Sequence, residues 1–162
     1  LTRTMTAGEQ ATFRLEKFGY VFQDYALLPD LTALENVALP FLMKGLSKEE
    51  AEGKAREALA KVTLEARLGN VPGQLSGGEQ QRASIARAIA HNPSVLFADE
   101  PTANLDLESS ATVMQIFTEL RQGGQTILMV THEDEFAKFA ERIVKIDEGK
   151  IVSDTRITPD LA

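Results

Sequence analysis

Two short runs, VLFA at 95–98 and TILMV at 126–130, are almost unbroken in their apolar character and lie on either side of a helical pattern, Leu107 to Arg121, that Gly123-Gly124 terminates. A strand with one wet face alternates apolar and polar residues, whereas a continuous apolar run is the pattern of a parallel strand covered on both faces by helices. The chain is therefore expected to be an α/β protein with a mainly parallel sheet flanked by helices.

Other segments fit around that core. Gly19-Tyr20-Val21-Phe22 reads as a short strand ending at Gln23, and a helix is expected from near Thr32, carrying Leu34, Val37, Ala38 and Phe41, with Pro40 predicting a kink or an early break. Ser47-Lys48-Glu49-Glu50 has the spacing of a capping box, so a second helix should run from there to about Val62. Residues 32–74 thus read as mostly helical, with a loop at 69–73. Ser76 to Ala90 reads as another helix, and Ile143–Ile146 with Ile151–Ser153 flank a hairpin turn, Asp147-Glu148-Gly149-Lys150.

Composition narrows the class. At 162 residues, with 43% hydrophobic and 25% charged residues, the chain can bury one sizeable core. No apolar run reaches the 18 or so residues of a membrane span, so direct membrane insertion is not expected. The start shows no secretory pattern and cysteine is absent, which excludes disulfides and thiolate metal sites and fits a cytosolic compartment. A net charge of −7 disfavours sequence-independent binding to nucleic acid.

The chemistry concentrates in LSGGEQQRASIARAIAHNPSVLFADEPTANLD, residues 75–106. Ser76-Gly77-Gly78-Glu79 places two glycines in a capped first turn, where bare amides can receive an anion; ordinary helix capping is the other use of such a box. Asp99 and Glu100 follow an apolar strand at the sheet edge where α/β proteins bind ligands. There an aspartate can hold Mg²⁺ through water and the next carboxylate can orient a nucleophilic water, although Asp-Glu-Pro also suits a plain strand-ending turn. His132 follows the second apolar strand and Gln23 the first short one, so both are expected at the same edge; each is otherwise an ordinary surface or loop residue.

Together these residues resemble the nucleotide-binding domain of ATP-binding-cassette transporters, across nearly the whole chain. LSGGEQQR is similar to the family signature, VLFADEPT to its Walker B strand, Asn104-Leu105-Asp106 to the D-loop, His132 to the H-loop and Gln23 to the Q-loop. GYVFQDYALLPDLTALENVALP is most similar to the ATPases of lipoprotein release and macrolide export. Small departures are Ala103 and Glu133, where Asp more often follows the histidine.

The resemblance implies a P-loop NTPase (RecA-like) core with a helical subdomain over about 24–90, bearing Q-loop and signature, and a catalytic half over 91–162. It implies ATP and Mg²⁺ as ligands and Asp99 as metal support, with Glu100 as general base or water-orienting carboxylate and His132 on the γ-phosphate. Gln23 would sense metal and water and link to transmembrane permease subunits. Ser76, Gly77, Gly78 and Glu79 would close on ATP held by a second copy, in a head-to-tail homodimer across which Asp106 communicates. The protein is then expected on the cytoplasmic face of the inner (plasma) membrane, held there by its partner.

One element of that family is missing from the chain. GxxxxGK followed by Ser or Thr occurs nowhere: Gly53-Lys54 precedes Ala55, and Gly149-Lys150 precedes Ile151. The expectation is that residues 1–162 are the C-terminal part of such a domain and are inactive alone. Two other classes are a non-catalytic interaction fragment and a DNA-repair or chromosome-maintenance (SMC-type) ATPase. The latter is disfavoured because residues 24–75 hold no sustained heptads.

Overall fold

The computed structural model describes residues 4–158. Three parallel strands make the central sheet, in the order β1 (Phe18–Val21), β2 (Val95–Asp99), β3 (Thr126–Val130). Val21 pairs with Ala98 and Asp99 with Val130, so all three strands end at one edge. Helices α2 (Ala33–Met43), α3 (Lys48–Ala60) and α4 (Gly77–Ile89) pack on one another, and α4 also lies against β1 and α5 (Leu107–Gln122). A short α6 (Asp134–Ala137) leads to the antiparallel hairpin of β4 (Arg142–Asp147) and β5 (Lys150–Arg156), closed by Glu148 and Gly149 at φ 46° and 74°.

The helix starts are written in the sequence. Thr32 with Glu35, Ser47 with Glu50 and Ser76 with Glu79 each form a reciprocal capping box, which satisfies otherwise orphaned first-turn amides. A fourth box, Thr6 with Glu9, opens a helix that sequence reasoning did not anticipate, α1 (Ala7–Lys17). The Thr-x-x-Glu spacing that signals it was legible.

One expectation needs correction. Pro40 does not break α2, which continues to Met43; the helix ends three residues later, and its buried face of Leu34, Val37, Ala38 and Phe41 outweighs the lost hydrogen bond. The sheet is not covered on both faces. Leu96 and Ala98 point into the core, but Tyr20, Phe22, Leu128 and Val130 are exposed, the last two at 51% and 53%. Tyr20 stacks between Phe22 and Phe97, leaving an aromatic surface on that open face.

The buried layer under the other face joins Val21, Leu34, Val37, Leu59, Leu64, Ile85, Leu96, Val113 and Phe117 into one core. Gly19 is required there: a Cβ on it would run into the backbone carbonyl of Ala88, so only glycine lets β1 press this closely on α4. None of the described helices is long and apolar enough to cross a membrane.

Candidate functional site at the sheet edge

The parallel register delivers the four edge residues together. Phe22 and Gln23 continue β1 past Val21, Asp99 ends β2, and Thr131 and His132 follow Val130 of β3. The Glu100 amide donates to the Val130 carbonyl at 2.9 Å, and its backbone then turns through the left-handed region, φ 45°, which a non-glycine residue adopts only when its surroundings impose it. That turn aims the carboxylate back across the edge. Nδ1 of His132 lies 2.8 Å from Oε1 of Glu100. The hydrogen bond and charge of Glu100 raise the imidazole's pKa above the ordinary histidine value. Oε2 of Glu100 is buried and has no donor in the protein.

Gln23 and Asp99 both reach the edge with exposed side chains. The Gln23 carbonyl accepts from Nδ2 of Asn104 at 3.0 Å, which ties the segment after β1 to the loop after β2. Among the described residues no group of three or more His, Asp or Glu side chains is gathered for a metal. Asp99 alone suits an ion that takes one carboxylate and fills its shell with water and phosphate oxygens, as Mg²⁺ does.

The start of α4 is built as expected, with a further reason for its glycines. Ser76 Oγ accepts from the Glu79 amide, Glu79 Oε2 accepts from the Ser76 amide, and Arg67 donates from Nε to Glu79 Oε1 at 2.8 Å. The amides of Gly77 and Gly78 have no intrahelical acceptor. A Cβ on Gly78 would lie 2.6 Å from Ser109 Oγ, and one on Gly77 would lie 3.0 Å from the Tyr25 hydroxyl. Close packing within the chain thus favours glycine at 78 and, less strongly, at 77, besides any ligand. Asp106 caps α5, its Oδ1 accepting from the Ser109 amide at 2.7 Å, and that bond lowers its pKa.

Several residues at the site escaped sequence reasoning. Arg87 donates to the carbonyls of Tyr25 and Ala26, Gln81 to that of Pro101, and the fully buried Asn36 to those of Leu28, Leu31 and Thr32. Polar residues on the apolar stripes of α2 and α4 were the available signal. Of the apolar cluster after Gln23, Tyr25 and Leu27 are half-buried, while Leu28 is 48% exposed. A cavity of about 210 Å³ lies away from this edge, lined by Lys44, Lys54, Lys61 and His91. Lys44 and Lys61 cap the C-terminal ends of α2 and α3, where their charge offsets the helix ends.

A family profile described as ABC transporter matches residues 2–103. The chain belongs to the ABC transporter family. Within it, the sequence is 48% identical over 151 residues to an uncharacterized ABC transporter ATP-binding protein of Methanocaldococcus jannaschii, covering 93% of this chain and 67% of that one. It is 44% identical over 160 residues to the macrolide export ATP-binding/permease protein MacB of Neisseria meningitidis, covering 99% of this chain but 25% of that protein. Among solved structures, the ATP-binding cassette MJ0796, a dimer in a post-hydrolysis state with ADP and Pi, superposes with a TM-score of 0.86 at 39% identity. That match spans 98% of this chain and 71% of the cassette. The likeness to ABC cassettes therefore covers nearly all of the α/β architecture described above.

Proposed function

We propose that the sheet edge and the start of α4 are the two halves of an ATP site, each completed by the other half from a second copy of the chain. In this reading the protein hydrolyses ATP to drive export or lipoprotein release through a membrane permease. The observation that carries it is the direct contact between His132 and Glu100 at a strand-end edge, with the second carboxylate oxygen of Glu100 left free of protein donors.

Each residue then has a task. Glu100 orients the attacking water and takes its proton on the carboxylate. His132, oriented by the contact of its Nδ1 with Glu100, presents Nε2 toward the γ-phosphate and stabilises its developing charge. Gln23 orients water beside Asp99 and, with the exposed Leu28, faces the permease. Asp99 would hold Mg²⁺, which when bound would offset the negative charge of the phosphates. Ser76 and the free amides of Gly77 and Gly78, braced by Glu79, meet the phosphate bound by the opposite copy. Asp106 places α5 against Gly78, so that movement at the dimer interface reaches the signature turn. Residues 24–90 act as the helical subdomain and 91–162 as the catalytic half, and the assembly works on the cytoplasmic face of the membrane.

The dimeric cassettes of known structure support this reading, as does the architecture that they share with this chain. The experiment is phosphate release by residues 1–162 with and without a phosphate-loop segment supplied by fusion or in trans. The expected result is turnover only in its presence, lost again with Glu100→Gln. Turnover that survives Glu100→Gln would defeat the proposal.

A further inference from the structure

Gln81 is fully buried in α4, one turn beyond the signature glycines. Its Nε2 donates to the Pro101 carbonyl at 2.6 Å and lies 3.5 Å from the Phe22 carbonyl. Pro101 follows Glu100, and Phe22 precedes Gln23. Two carbonyl acceptors fix the amide with its NH₂ toward them, which leaves Oε1 buried with no donor. An unsatisfied buried oxygen is a cost that an apolar side chain of the same length avoids, so packing alone does not account for a glutamine here.

Farther along the same helix, Arg87 donates to the Ala26 carbonyl at 2.6 Å and the Tyr25 carbonyl at 3.0 Å. Tyr25 and Ala26 are consecutive non-glycine residues in the left-handed region, φ 64° and 48°. Such backbone persists only when its surroundings over-determine it. From one helix, then, two side chains grip the backbone on both sides of Gln23 and immediately after Glu100.

We infer that Gln81 is a positioning residue that makes α4 a rigid link between the signature turn and the loops carrying Gln23 and Glu100, with Arg87 as its second anchor on the Gln23 side. The inference rests on the roles proposed above for those two residues. A shift of α4 on engaging ligand at Ser76–Gly78 then moves both loops together, and loss of the Gln81 amide frees them separately.

The test replaces Gln81 with Met, which keeps length and removes both donors. In residues 1–162, amide exchange read by mass spectrometry should speed up about fivefold or more over 22–27 and 100–105, where Tyr25, Ala26, Ala103 and Leu105 donate within their own loops. Exchange in α2 and α3 should not change, and the melting temperature should stay within about 4 °C. In the complete dimeric cassette, kcat should fall about tenfold or more while KM stays within about twofold, because misplacement of catalytic groups costs rate rather than binding. Gln81→Asn, which keeps the amide but shortens its reach, should show the same exchange and rate changes, and it serves as the test if the Met variant does not fold. Unchanged exchange in either loop, or wild-type kcat in the variant, overturns the inference. Coupled exchange in a wild-type cassette that hydrolyses no ATP would support the positioning role and remove the catalytic roles of Gln23 and Glu100.

Discussion

Nδ1 of His132 sits 2.8 Å from Oε1 of Glu100, although the two lie 32 positions apart in the chain. Parallel pairing of β2 with β3 brings their ends level, and the left-handed turn at Glu100 closes the remaining gap.

That contact sets a pH signature. His132 is held protonated above its ordinary pKa, so its stabilising contact is full below the unfolded value of about 6.5 and is lost as pH rises through the raised folded value. His91 behaves oppositely. Burial, with Lys44 nearby, lowers its pKa, so its contribution is full above about 6.5 and is lost as pH falls toward the lowered value. With only two histidines in the chain, imidazole proton shifts followed against pH should resolve one titration above and one below the ordinary value. Glu100→Gln should return the upper one toward about 6.5. A single shared midpoint would contradict both environments.

In the complete cassette, Glu100→Gln should slow hydrolysis by about 10²–10⁴ with nucleotide affinity little changed, since only the proton acceptor is lost. Size-exclusion chromatography with ATP should then show an accumulating dimer. Asp99→Asn should instead weaken affinity selectively in the presence of Mg²⁺.

Gly78→Ala places a methyl group 2.6 Å from Ser109 Oγ, and Gly19→Ala drives one into the Ala88 backbone. Both should destabilise, the first by about 1–3 kcal/mol and the second by more, because Ser109 can shift and a helix carbonyl cannot. Chemical denaturation of the chain provides the measurement. Pairing Gly78→Ala with Ser109→Gly should recover part of the loss, whereas no comparable relief exists for Gly19.

Leu27→Asp with Leu28→Asp should uncouple ATPase activity from transport in a reconstituted permease complex while leaving nucleotide affinity nearly intact. The basis is the exposed apolar Leu28 beside Gln23, which suits a short permease helix. Normal transport by the double variant would remove this surface from the interface.

The open sheet face, with Tyr20, Phe22, Leu128 and Val130 exposed, predicts self-association of residues 1–162. Sedimentation velocity should show species larger than monomer, shifted toward monomer by Leu128→Lys with Val130→Lys. Calorimetry should detect very weak Mg-ATP binding, since the chain holds no phosphate-loop lysine.

The sequence by itself determined the elements whose causes are local. Capping boxes at Thr32, Ser47 and Ser76, the continuous apolar strands and the Glu148-Gly149 turn announce themselves through spacing, because first-turn amides and strand burial depend on residues a few positions apart. The same locality made Asp99, Glu100, His132 and Gln23 legible as strand-end residues. Only the tertiary structure decided how they meet. The Glu100 to His132 contact, the grip of Gln81 and Arg87 on the loops that follow β1 and β2, and the closeness of Ser109 to Gly78 join segments distant along the chain, and no periodicity encodes them. Exposure of the second sheet face is likewise a tertiary matter: an apolar strand records what it is suited to lie against, whereas its exposure depends on which elements of the folded chain reach it.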